Sequence, residues 1–376
     1  MEYRKMEALS VSPSLLGFGA MRLPQHADKQ VDQIRTNQMV ETAMRSGITY
    51  YDTAYNYHEG KSESILSTAL RQFPRESYLL ADKLPVWLIE KESDTKHYFE
   101  EQLQRLQTDY IDFYLLHSLN AARWENMQRN HVLETCEELR AAGKLRFFGF
   151  SFHDDYALFE QILRAHSWDF CQIQLNYMDT ELQAGLKGLE LAGELGIPVV
   201  VMEPVKGGSL ARLPEEGHAI LQRYGCTDSP ATLALRYVAS LPQVKVILSG
   251  MSDQAQLEEN LRVFSPFQPL SATEQQAVAE LRQMLDSRVR NGCTGCSYCM
   301  PCPQGVNIPR CFQIWNDFAK FGNVAATRSA YYVMMKEAER ADRCIGCGKC
   351  EAACPQKLPI IADLQQVAAE MPLYRE

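Results

Sequence analysis

Four residues of this chain carry side chains suited to delivering a proton to a carbonyl oxygen: Asp52, Tyr57, Lys83 and His117. A free phenol, with a pKa of about 10, is a reluctant donor at neutral pH. A neighbouring ammonium favours its phenolate, and a carboxylate holds that ammonium in place. The chemistry such a set would serve is reduction of an aldehyde or ketone to an alcohol. Tyr57 would be the proton donor, Lys83 its tuner, Asp52 the partner of Lys83, and His117 a polariser of the carbonyl oxygen. Taken singly, each has a blander reading: an Asp at a strand end often caps a helix, and a Lys or His there is often solvated. Four of them at the ends of neighbouring strands are harder to dismiss.

A second set points to metal. Of the 12 cysteines, Cys136, Cys171 and Cys226 are scattered and read as small packed hydrophobes, while the rest lie between Cys293 and Cys354. They form Cys293-x₂-Cys296-x₂-Cys299-x₂-Cys302-Pro303 and Cys344-x₂-Cys347-x₂-Cys350-x₃-Cys354-Pro355. The second has the spacing of bacterial two-cluster ferredoxins, in which three close cysteines hold one [4Fe–4S] cluster and the Cys-Pro cysteine holds the other. The first is one residue shorter before its Cys-Pro. Zinc sites use pairs of cysteines rather than quartets this dense, so two [4Fe–4S] clusters are expected. By the crosswise rule Cys293, Cys296, Cys299 and Cys354 hold one, and Cys344, Cys347, Cys350 and Cys302 the other. Cys311 is a possible substitute for Cys302, but reads better as a buried thiol.

The elements that must position these residues alternate regularly. Short apolar runs at Leu15–Ala20, Ile48–Asp52, Tyr78–Lys83, Ile111–Leu116, Leu145–Ser151, Phe170–Leu175, Pro198–Met202 and Lys245–Ser249 read as strands. Between them lie helix-like stretches at Val31–Ser46, Ser62–Phe73, Thr95–Gln107, Trp124–Ala142, Asp154–His166, Leu182–Leu195, Ser229–Ser240 and Asp253–Phe264. Eight strand–helix units predict an α/β fold, a closed (β/α)₈ barrel; an open doubly wound sheet gives the same alternation. The barrel is favoured because the polar residues sit at strand C-termini, where barrels build active sites. The expected division is a barrel over 1–270, a connector helix over 271–290, and a small, mainly α-helical ferredoxin-like domain over 291–376. Within that last part, Pro309–Phe321 and Ala325–Arg340 read as helices.

Composition narrows the function classes. The chain has 376 residues and a formal net charge of −9, with no basic block, so neither nucleic acid nor an anionic membrane is an expected partner. Apolar runs such as Ile197–Met202 are far too short to span a bilayer, and Met1-Glu2-Tyr3-Arg4-Lys5 lacks the apolar stretch of a signal peptide; a cytoplasmic protein is expected.

The first 265 or so residues resemble the aldo/keto reductases. The resemblance rests on Leu16-Gly17-Phe18-Gly19-Ala20-Met21-Arg22, Tyr51-Asp52-Thr53-Ala54-Tyr55-Asn56-Tyr57, Lys83, Asp109-Tyr110-Ile111-Asp112 with Leu116-His117, Gly149-Phe150-Ser151, and Gly250 with Glu259-Asn260. It implies a barrel that binds NADP or NAD extended across its mouth, without a Gly-x-Gly-x-x-Gly fingerprint, and none is present. The coenzyme positions it implies are Ala20, Met21, Ser151, Gln172, Met202, Glu203, Pro204, Val205, Gly250, Gln256, Glu259 and Asn260. Ser151 and Gln172 match positions that hold the carboxamide. This chain departs from the family at Phe152, where Asn is usual, and at Met202, where an aromatic stacks on the nicotinamide. Gly250 and Gln256 stand where many relatives have Lys and Arg for a 2′-phosphate, which weakens the case for NADPH over NADH. The function these features imply is NAD(P)H-dependent reduction of a small carbonyl substrate. The alternative is an electron-transfer protein whose two clusters couple a redox partner protein to a barrel-bound substrate.

Overall fold

The computed structural model describes residues 1–375. Eight parallel strands, β1 (Leu16–Gly19), β2 (Tyr50–Asp52), β3 (Leu79–Leu84), β4 (Ile111–Leu119), β5 (Leu145–Phe152), β6 (Phe170–Gln174), β7 (Val199–Met202) and β8 (Val244–Ser249), close into a barrel in sequence order. The helices are α1 (Gln33–Arg45), α2 (Ser62–Leu70), α3 (Ser93–Leu106), α4 (Ala121–Arg129), α5 (Val132–Ala141), α6 (Tyr156–Ala165), α7 (Gly185–Glu194), α8 (Glu215–Arg223), α9 (Pro230–Ala239) and α10 (Gln254–Val263), then α11 (Ala272–Ser287), α12 (Ile308–Phe321), α13 (Val324–Arg328), α14 (Lys349–Ala353) and α15 (Ile360–Glu370). The closed barrel is the fold expected from the alternation.

The described residues divide into two compact units. The first is Met1–Pro204 with Thr232–Leu270, and the second is Val205–Ala231 with the chain from Ser271 on. Val205–Ala231 falls inside the 1–270 span expected for the barrel, where no helix is expected before Ser229. That stretch instead forms α8, whose Gly217 lies against Leu281 and Met284 of α11.

Inside the barrel, Tyr50, Ala81, Phe113, Leu115, Phe170, Val200, Val246 and Leu248 form one buried cluster. Met6 joins it from an N-terminal segment bridged at Tyr3–Ser14 and Met6–Val11. Because side chains alternate along a strand, the inward row continues from each core residue to the second residue beyond it. Tyr50 is thus followed by Asp52, Ala81 by Lys83, Leu115 by His117, Phe170 by Gln172, Val200 by Met202 and Leu248 by Gly250. Parity alone aims these residues at the C-terminal mouth.

Two expected helices are broken. Trp124–Ala142 divides into α4 and α5 where His131 adopts a left-handed conformation, φ 49°. Ala325–Arg340 continues only through α13 and a wide turn at Ser329–Val333. It then stops, because the Arg340 guanidinium donates to the carbonyls of Tyr331 and Tyr332 at 3.1 and 3.0 Å, and the Ala341 amide donates to the Tyr331 hydroxyl. The second unit is held by Val306, Ile308, Phe312, Trp315, Tyr331, Ile360, Leu364 and Val367 among others, with the cysteines Cys293, Cys299, Cys302, Cys344 and Cys350 packed against them. No helix of the described residues is long and apolar enough to cross a membrane.

Candidate functional site

Lys83 is the centre of the mouth. Its ammonium, 1% exposed, donates to Asp52 Oδ1 at 2.5 Å and to the Thr53 carbonyl at 2.6 Å. Burying an ammonium is tolerable only with such partners; removing one leaves a desolvated charge costing about 3–5 kcal/mol. The Nζ lies 5.0 Å from the centroid of the Tyr57 ring, and that ring meets the His117 ring edge-on at 6.0 Å. The four tetrad residues are therefore brought together at the ends of β2, β3 and β4 and in the loop after β2.

Electrostatics assign protonation states. Burial lowers the Lys83 ammonium, but Asp52 and Tyr57 outweigh it and hold the group above its ordinary value, so it stays charged. Burial raises the Tyr57 phenol, and the downward pull of Lys83 does not overcome this. The lowering expected of Lys83 is present but outweighed: Tyr57 is a neutral phenol well past neutral pH. His117 is driven far down by burial and then by Lys83 and Arg123, so its imidazole is neutral. Its Nδ1 is buried without a partner among the described residues. An orphaned acceptor costs less than an orphaned donor, which puts the single proton on Nε2, free to donate into the mouth.

Beneath Lys83 lies a network that sequence reasoning missed. The Lys83 amide donates to Asp82 Oδ1 at 2.8 Å, and Gln102 Nε2 donates to Asp82 Oδ2 at 2.8 Å. Tyr114 donates to Gln102 Oε1 at 2.7 Å, and Glu63 pairs with Arg105 at 2.8 Å. Asp82, fully buried, is pushed well up by burial and by the facing Glu63. An Asp directly before the Lys in β3 is the one sequence signal, since alternation points it away from the mouth and towards the helices. Asp112 is a different case: clamped by Arg75 at 2.7 Å, Arg146 at 2.5 Å and the Leu80 amide at 3.0 Å, it fastens the strands together.

The residues matched to coenzyme positions are placed unevenly. Gln172, 3% exposed, stands at the end of the inward row of β6; a side-chain amide there fits a ligand that both donates and accepts, as a carboxamide does. Ser151 Oγ accepts from the Ser118 amide at 2.6 Å. Phe152 is buried against Phe159 and offers no polar atom. Met202 is half-buried and Met21 exposed, while Ala20 is buried. Glu203, at φ 58°, has its carbonyl taken by Asn176, and Pro204 is buried beside it. A Cβ on Gly250 would stand 3.2 Å from Arg22 Cβ and Cγ, so the aliphatic stem of Arg22 lies alongside. Gln256 is occupied with the Ser252 amide and Asp253, Glu259 accepts from Thr232, and Asn260 donates to Ser249 at 2.9 Å. Val205 lies in the second compact unit.

The cysteines line two hollows in the second unit. One is walled by Cys293, Cys296, Cys299 and Cys354 with Ile308, Phe312, Leu358 and Ile360. The other is walled by Cys299, Cys302, Cys344, Cys347 and Cys350 with Ile308, Ile345, Ile361 and Leu364. A soft, all-sulfur donor set in an apolar wall suits iron–sulfur rather than a hard cation. Gly346 and Gly348, both at positive φ, let the chain double back between Cys344 and Cys350. Cys311 lines neither hollow; its thiol, pushed up to about 12 by burial, points at the Glu339 carbonyl 3.7 Å away. Cys136 and Cys171 are buried and Cys226 half-buried.

Two family models match the chain. Residues 15–283 match the aldo/keto reductase family, and residues 292–358 match a 4Fe-4S dicluster domain. The chain belongs to the aldo/keto reductase family. It is 27% identical over 292 residues to the uncharacterised oxidoreductase YqkF of Bacillus subtilis, covering 70% of this chain and 90% of that one. It is 28% identical over 269 residues to the NADH-specific methylglyoxal reductase of Escherichia coli, covering 58% and 79%. Among solved structures, the holo form of aldo-keto reductase AKR11C1 from Bacillus halodurans matches with a TM-score of 0.62 and 26% identity, over 74% of this chain and 96% of that one. The protein is an oxidoreductase with a C-terminal domain of the 4Fe-4S dicluster type.

Proposed function

We propose that the protein reduces an aldehyde or ketone to the alcohol with a nicotinamide coenzyme. The observation that carries this is the buried Lys83–Asp52 pair under Tyr57, with a neutral His117 beside it. A bound NADH or NADPH supplies the hydride that reaches the carbonyl carbon. Tyr57 supplies the proton that reaches the oxygen, so one hydride and one proton complete the two-electron change. His117 Nε2 donates to the carbonyl oxygen and orients it. Lys83, kept charged by Asp52, stabilises the phenolate left on Tyr57 until solvent restores its proton. Gln172 and Ser151 would hold the carboxamide, with Met202 and Glu203 around it. The similarity to a methylglyoxal reductase supports a carbonyl substrate, and that relative's use of NADH suits a mouth with no charge at Gly250 or Gln256. The test is oxidation of NADH and NADPH, followed anaerobically at 340 nm, with a panel of aldehydes and ketones; no turnover with any of them would sink the reading.

A pH profile checks the protonation states. With His117 held well below its ordinary value and Tyr57 above its own, both required forms persist between those two limits. Lowering the pH through about 6.5 does not yet protonate His117, and raising it towards about 10 does not yet ionise Tyr57. The expected kcat/KM for carbonyl reduction is level from about pH 6 to pH 9. An acid limb near pH 6.5 would show a titrating imidazole and contradict the assignment.

In the second unit, Cys293, Cys296, Cys299 and Cys354 would hold one [4Fe–4S] cluster, and Cys302, Cys344, Cys347 and Cys350 the other. When bound, such clusters take up and release single electrons. The reduction at the tetrad needs no such carrier, and the clusters are read as the framework of the tail and of a surface for a redox partner. A second reading, in which they relay electrons between that partner and the substrate, draws on Cys299 lining both hollows, which sets the two sites side by side.

A further inference from the structure

At the mouth, Arg123 has no counter-ion among the described residues. Arg123 stands in the first turn of α4, just past the strand that ends in His117. After His117 the strand slips register and Ser118 turns to φ 60°, and the Arg123 guanidinium folds back to donate to the Ser118 carbonyl at 2.6 Å. Its Cζ lies 5.6 Å from the Trp87 ring centroid, and the Trp87 ring lies 5.2 Å from that of His117. One tryptophan ring therefore touches both imidazole and guanidinium, and the Tyr57 ring also lies against His117.

Several other arginines around the barrel are paired with carboxylates. Arg75 and Arg146 meet Asp112, Arg105 meets Glu63 and Glu101, and Arg140 meets Asp169. Arg123 has no carboxylate within ion-pair distance among the described residues, although the chain carries 47 acidic residues to 38 basic ones. It is also half-buried, so it has lost water without gaining an anion. Three features coincide: a planar donor fork with spare N–H groups, an aromatic platform 37% exposed beneath it, and a position one ring from His117. We propose that Arg123 receives a carboxylate or phosphate on the substrate, and that the substrate class is short carbonyl compounds carrying an anionic group a few atoms from the carbonyl. This rests on the reading of the site as a carbonyl reductase. Arg123 acts as a specificity residue; the proton still comes from Tyr57.

Two matched pairs of substrates test it with the intact holoenzyme: succinic semialdehyde against butanal for carboxylate, and glyceraldehyde 3-phosphate against glyceraldehyde for phosphate. The wild type is expected to favour the anionic member of at least one pair by about tenfold or more in kcat/KM. In Arg123→Leu that preference falls about ten- to a hundredfold, expressed in KM rather than kcat, and Arg123→Lys retains part of it. The pair that loses more identifies the anion. A wild type that prefers both neutral members, or a preference that survives Arg123→Leu, overturns the proposal. Succinate binding, read as quenching of tryptophan fluorescence, keeps the two claims separate. Binding that is lost in Arg123→Leu supports the anion site even where no aldehyde is turned over, an outcome that would sink only the reductase reading. Absence of succinate binding together with equal turnover of both members of each pair counts against Arg123 alone.

Discussion

Tyr57→Phe is expected to lower kcat/KM for carbonyl reduction by about 10²–10⁴ while the dissociation constant of NADH or NADPH changes little. The substitution removes one oxygen and leaves the ring, and with it the edge-on contact to His117 and the face presented to Lys83. What is lost is the proton donor and the group that becomes anionic as the proton leaves. Since Lys83 still donates to Asp52 and Thr53, the buried charge stays satisfied and the fold is not taxed. The loss should therefore appear in turnover, with thermal unfolding within a degree or two of wild type. Steady-state kinetics with the best substrate, set beside a coenzyme titration by fluorescence, separate the two. Unchanged turnover would remove Tyr57 from the chemistry, and loss of coenzyme binding would make it a structural residue.

The second large effect concerns the tail. Cys347→Ser is expected to release about half of the bound iron and to loosen the segment from Cys293 to Cys354, because a serine hydroxyl is a poor substitute for a thiolate ligand. Seven cysteines pack within or against the apolar cluster of the second unit. A small core of that kind gains much of its stability from ligation. Limited proteolysis should then cut within 291–376 while the barrel stays intact, and carbonyl reduction should persist within a few-fold, since every contact of the tetrad lies within the first unit. Iron and sulfide assays, peptide mapping and the aldehyde assay report these in one preparation. Loss of reduction to below about 1% with the barrel still folded would favour the electron-relay reading.

The strands and the tetrad were legible for the same reason. Short Val-, Ile- and Phe-rich runs identify a buried parallel strand, and a polar residue two positions past a core residue must leave the core at the same face. Asp52, Lys83, His117 and Gln172 all follow from that parity. What the sequence did not reveal depends on contacts distant in the chain. Ala325–Arg340 contains neither Pro nor Gly; it breaks because Arg340 reaches back to carbonyls at Tyr331 and Tyr332. His131 ends α4 without a glycine to announce it. Helix α8 buries only Gly217, Ile220 and Leu221, too thin an apolar stripe to stand out. Asp82 and Glu63 gave no sign that they would meet. Nor could Arg123 be singled out, because its distinction is an ion pair that never forms.

Isotope transfer tests the central claim most directly. The protein, with its clusters intact, is given an aldehyde substrate and coenzyme fully deuterated at C4 of the nicotinamide, in ordinary water under argon, and the alcohol is analysed by mass spectrometry. Direct hydride transfer puts one deuterium on the former carbonyl carbon of each product molecule. An alcohol carrying only solvent hydrogen at that carbon would mean that electrons and protons arrive separately, and would contradict hydride reduction at the Tyr57 site.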